Sequence, residues 1–114
     1  MDRRQYKSLI RQIGNDCISK TLEEFRAQKK IKSIELLNIE TFEPFIDAVL
    51  EKKVSKLVTK RDWAKVLAFT SHRLNTPDFN EMQLKQIVWS AMLQDITRYI
   101  EYKLDFLKGD LIWS

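Results

Sequence analysis

Between Phe79 and Lys108 the polar residues Gln83, Gln86, Ser90, Gln94, Thr97, Glu101, Asp105 and Lys108 recur at spacings of three or four. That recurrence puts them on one stripe of a helix with about 3.6 residues per turn. The residues between them include Leu84, Ile87, Val88, Trp89, Met92, Leu93, Ile96, Tyr99, Ile100, Leu104 and Phe106, which wrap most of the remaining circumference. A helix so apolar outside one polar stripe needs neighbours on several sides. The stretch therefore reads as a core helix, about 45 Å long at 1.5 Å per residue.

The rest of the chain supplies those neighbours. Only two glycines and two prolines occur in 114 residues, which leaves little turn chemistry for an all-β protein. Long periodic runs with few breakers favour an all-α domain. Hydrophobic residues make up 44% of the chain, enough for a core, and the length suits one domain spanning residues 1–114.

The first periodic segment covers Arg3 to Gln28. Tyr6, Ile10, Ile13, Cys17, Thr21 and Glu24 align at helical spacing, and Leu9, Ile18, Leu22 and Phe25 widen the stripe. Gly14 admits two readings: it ends one helix, or it sits inside a continuous helix and lets a neighbour approach closely. The apolar phase carries through it without a jump, which favours the continuous helix. After a basic connection, Ser33 to Asn38 reads as one short helical element. Thr41 is placed to cap the next helix, with Pro44 in its first turn and an apolar face of Phe42, Phe45, Ile46, Val49 and Leu50 running on to Val58. Thr59 caps a third helix, Lys60 to Leu74, with Asp62 three residues on. Thr76 or Asn80 caps the long helix, and Gly109 is placed to terminate it, leaving Leu111, Ile112 and Trp113 as an apolar tail. The predicted fold is all-α: a compact antiparallel bundle of four main helices plus one short helical element, with the long C-terminal helix central.

Catalytic signals are sparse. The one histidine, His72, reads as a surface residue near a helix C-terminus. With one cysteine beside it, no common zinc set can be assembled, and glycine-rich phosphate loops, HExxH and GxSxG patterns are missing. Asp95, Glu101 and Asp105 lie along or near the polar stripe, where carboxylates are ordinarily solvated. The chain is expected to be a non-enzyme with no cofactor or metal and no evident small-molecule substrate. Cys17, on the apolar stripe, reads as a small core residue. No run of about 18 apolar residues could span a membrane, and charged residues interrupt the first turns, so an intracellular, cytoplasmic setting is expected.

Charge is blocked along the chain. Residues 1–32 hold nine Lys/Arg against four Asp/Glu, 33–50 hold four acids and no bases, and 51–73 hold seven bases against two acids. Two classes of partner follow. One is another protein, a second copy included, bound through an apolar and aromatic helical surface with Trp89, Leu111 and Trp113 as anchors, as in an adaptor, inhibitor or complex subunit. The alternative is a nucleic acid whose phosphates meet Arg4, Lys7, Arg11, Lys52, Lys53, Lys56, Lys60 and Arg61. Aromatic residues are not interleaved with those cations in the sequence, so the protein partner is favoured.

Overall fold

In the computed structural model the described residues are 1–29, 39–74 and 80–113, and among these the side chains of 29, 39, 71–74 and 107–113 are outside the description. Four helices account for nearly all of them: α1 (Arg3–Lys29), α2 (Ile39–Leu57), α3 (Lys60–Leu74) and α4 (Glu81–Trp113), with no strand among the described residues. The molecule is elongated, 51 × 27 × 20 Å, and α4 alone accounts for the long dimension at about 1.5 Å per residue.

The expected all-α bundle with a central last helix is what forms. α4 packs on α1, α2 and α3 alike. Its buried residues are Val88, Met92, Ile96, Ile100 and Leu104, each four residues from the next. Four residues overshoot one turn by about 40°, so the buried line winds around the helix rather than following one side. This is why one helix can serve different neighbours along its length. The polar stripe lies away from that line, with Gln83, Gln86, Ser90, Gln94, Glu101 and Asp105 exposed.

The other helices each add a line to the same core. α1 contributes Leu9, Ile10, Ile13, Cys17, Thr21 and Phe25; α2 contributes Phe42, Ile46, Leu50 and Val54; α3 contributes Val66, with Trp63, Leu67 and Phe69 half-buried. Phe25 takes the core position that the stripe assigned to Glu24, because the line drifts with each turn. Glu24 lies outside and accepts an ion pair from Lys53 of α2. Phe25 meets Phe42 edge-on with ring centroids 5.4 Å apart and Phe45 at 5.2 Å, which joins the end of α1 to the start of α2.

Helix starts are set by side-chain caps. Asp2 Oδ1 accepts the Gln5 backbone N–H at 2.8 Å while Gln5 Oε1 accepts the Asp2 N–H at 2.9 Å. Asn80 and Gln83 repeat this reciprocal box at α4, at 2.8 and 3.2 Å. Thr59 Oγ1 accepts the Asp62 N–H at 3.1 Å, as the sequence indicates. The cap falls to Asn80; Thr76 and the short element at Ser33 to Asn38 lie outside the described residues.

Two boundaries differ from expectation. α2 begins at Ile39, so Thr41 is inside the helix and not its cap, and Pro44 lies in the second turn. The earlier start sets Phe42 and Phe45 in helical register against Phe25, and that packing outweighs the local cap signal. At the other end Gly109 does not stop α4, which continues to Trp113. Glycine weakens a helix interior by about 1 kcal/mol relative to alanine but forbids nothing.

Gly14 is helical throughout, and the close-approach reading holds. A Cβ there would lie 2.5 Å from Cδ1 of Tyr99 on α4. Tyr99 in turn donates its hydroxyl to Asn15 Oδ1 at 2.9 Å, so the ring is held against the α1 backbone.

The two glycines should therefore respond to alanine with opposite signs. Gly14→Ala should destabilise by about 1–3 kcal/mol through overpacking against Tyr99, whereas Gly109→Ala should stabilise by up to about 1 kcal/mol. Urea denaturation measures both. A loss at Gly109 would mean that this residue is a left-handed cap and that α4 ends there.

Candidate functional site

Along α1, Arg3, Lys7 and Arg11 stand at i, i+4 and i+8, one ridge of the helix. The ridge forms one wall of a cleft of about 310 Å³ whose other lining residues are Tyr6, Ile10, Asp95 and Tyr99. Arg4 and Ser8 extend the basic surface around α1. Two helices therefore build this site, α1 with the cations and α4 with Asp95 and Tyr99. The pairs Tyr6–Asp95 and Asn15–Tyr99 show that α1 and α4 advance in the same sense across this contact, so this pair departs from the antiparallel arrangement expected of the bundle.

Tyr6 is the hinge of the geometry. Its hydroxyl donates to Asp95 Oδ2 at 2.6 Å, short as expected when the acceptor is charged. Its ring packs on Phe69 of α3 at 5.3 Å. Asp95 is half-buried and bound, not solvated along the stripe as its sequence position suggested. Tyr99 is fixed from three directions: Gly14 beneath, Asn15 at its hydroxyl, and Lys103 Nζ 5.8 Å above the ring centroid.

The cations named from the sequence divide into two groups. Arg4, Lys7 and Arg11 are exposed on α1 beside this cleft, joined by Arg3, which the sequence reading passed over. Lys52, Lys56, Lys60 and Arg61 are exposed where α2 gives way to α3 and do not line the cleft. Lys53 is paired with Glu24.

The aromatic candidates also separate. Trp89 is half-buried, edge-on to Trp63 at 5.8 Å, with its indole N–H 3.5 Å from Glu51 Oε1, at the long limit of a hydrogen bond. It joins α4 to both α2 and α3. Leu111 and Trp113 belong to the last turns of α4, not to a tail, and their side chains lie outside the described residues, as does that of His72 in α3. Among the residues whose side chains are described, the exposed aromatics are Tyr102 at 66% and Phe106 at 58%, one turn apart on α4. A signal for Tyr102 was present, since Gln94 and Arg98 precede it at steps of four and share its exposed side.

Among the described residues no group of three or more His, Cys, Asp or Glu could hold a metal ion, and no helix is long and apolar enough to cross a membrane. Cys17 is fully buried. Burial pushes its thiol above the ordinary value, while the Thr21 hydroxyl one turn on and the Lys53 charge pull it down. Thr21 Oγ1 lies near the sulfur without completing a hydrogen bond of good geometry.

Because the thiolate is the reactive form, a buried thiol with a raised pKa should be inert. Iodoacetamide at pH 8 should alkylate Cys17 at least about 100-fold more slowly in the native protein than in 6 M guanidinium, as opening becomes limiting. Mass spectrometry follows the adduct; equal rates would place the sulfur at the surface.

Comparison of the chain with protein-family models, with curated proteins and with solved structures returns no match.

Proposed function

We propose that this chain is a non-enzymatic protein-interaction domain, an adaptor, inhibitor or subunit, that binds through the C-terminal half of α4. The observation that carries the reading is the exposure of Tyr102 and Phe106 one turn apart on the helix that forms the centre of the bundle. In the first half of α4 the same angular face holds Leu84, Val88 and Asp95, all at least half-buried. At Tyr102 and Phe106 that face turns aromatic and loses its cover. Rigid aromatics in a row supply large contact area at low entropic cost, which suits an anchor for another protein. Trp113 stands eleven residues past Tyr102, about three full turns, so it holds the same register on the helix. A cytoplasmic setting goes with this reading.

Photo-cross-linking tests it. A benzoyl-phenylalanine at Tyr102 should give discrete protein adducts, homodimer included, that persist in about 0.5 M salt, where charge contacts are screened. The same group at Gln86, exposed on the polar stripe and turned well away from Tyr102, should give few. Equal adducts from both positions would overturn the assigned surface, and adducts that vanish with salt would favour the basic helices as the contact.

A further inference from the structure

α1 opens against the usual electrostatic pattern. The N-terminal end of a helix carries partial positive charge and favours acids in its first turn. The first turn of α1 has no acidic residue; it holds Arg3 and Arg4, with Lys7 one turn on and Arg11 after that. Asp2 relieves this only from outside, as the cap. Like charges four residues apart on a helix also repel, as Arg3, Lys7 and Arg11 must. Among the described residues none of these four cations is in an ion pair. A local rule broken without an internal compensation is the kind of place where a fold holds a site in reserve for a ligand.

The opposite wall of the cleft says what the ligand must be. Asp95 faces the same space, and its Oδ2 is taken by Tyr6, leaving Oδ1 with acceptor capacity. A bare anion would be drawn to the cations and repelled by Asp95. A ligand satisfying both ends has an anionic group at the Arg3–Arg11 ridge and a neutral, hydrogen-bond-donating part at Asp95. Ile10 and the rings of Tyr6 and Tyr99 complete the lining, an apolar and aromatic surface suited to a flat group. The volume, about 310 Å³, falls at the lower end of small-ligand sites.

We propose that this cleft binds a nucleoside phosphate, with the phosphate on Arg3, Lys7 and Arg11 and the ribose or base donors on Asp95. The ligand is a free nucleotide or the phosphorylated end of a single strand. The site is independent of the α4 face, and its failure would leave that reading untouched.

Thermal melts at matched ionic strength test the assignment with three probes: inorganic phosphate, AMP and a short 5′-phosphorylated oligonucleotide. Arg3→Gln/Arg11→Gln without ligand should melt higher than wild type by roughly 2–6 °C, because repulsion at the helix start is relieved. Millimolar AMP should raise the wild-type midpoint by about 3 °C or more, and inorganic phosphate by clearly less. The double variant should lose the AMP effect, and Lys52→Gln/Lys60→Gln should keep it. A larger effect of the oligonucleotide than of AMP identifies the strand end as the source, and the reverse identifies the free nucleotide. No shift, equal shifts from AMP and phosphate, or an equal loss in Lys52→Gln/Lys60→Gln would each overturn the proposal.

Discussion

Removing Val88, Met92, Ile96, Ile100 and Leu104 from water is the task the other three helices share. All five are buried to within about one per cent of complete exclusion, and each such side chain contributes roughly 1.5–3 kcal/mol by transfer. Because the line steps by four residues, it turns by about 160° between Val88 and Leu104. No single flat partner could cover it. α1, α2 and α3 must each take a different part, and their own lengths and breaks follow from that division. The Thr59 cap falls where α2 ends and a new direction begins, and Trp89 packs at that break between Glu51 and Trp63.

The contact between α1 and α4 is tighter than side-chain interdigitation allows. Gly14 gives up a side chain so that the Tyr99 ring can lie on the α1 backbone. The helix loses propensity there and gains a fixed aromatic wall, which the Asn15 hydrogen bond orients. The same contact determines what lies nearby. With Tyr99 held in place, Asp95 one turn earlier comes within reach of Tyr6, and the α1 cations face a cleft instead of open water. Packing and site are one arrangement here: Cβ at residue 14 would disturb both.

Periodicity made most of this legible before any coordinates. The stripe from Gln83 to Asp105, the core lines of α1 and α2, the start of α3 and the continuity of α1 through Gly14 all depend on local spacing, which a sequence displays directly. What it hid depends on which residues meet. Thr41 has the chemistry of a cap, but ring packing of Phe42 on Phe25 extends α2 past it. Asn80 was legible as a cap of α4, but the glutamine that completes its box was not, nor was the matching box of Asp2 and Gln5. Asp95 was legible as a carboxylate near the stripe, not as the acceptor of a tyrosine 89 positions away. Likewise no spacing rule brings Tyr99 to Arg11, so cations and aromatics that are separate in the sequence share one cleft. Phe106 reads as part of the apolar girdle and Tyr102 goes unmarked, because a helical wheel shows composition and cannot show where a neighbouring helix stops.

That last point connects the two ends of α4. A helix apolar around most of its circumference is stable in water only where neighbours cover it. In the first half of α4, Leu84, Val88, Ala91 and Asp95 on one side are at least half-buried. At Tyr102 and Phe106 that side is open, although the opposite side still buries Leu104. Isolated surface aromatics are common, but two in register on the helix that packs against the other three extend a core face past the cover its neighbours give. The helix itself persists to Trp113 despite Gly109, so the exposed face is presented on a regular element rather than on a loop. A surface of that kind is preorganised: binding to it orders little, and the affinity of a partner is not diminished by folding the site first.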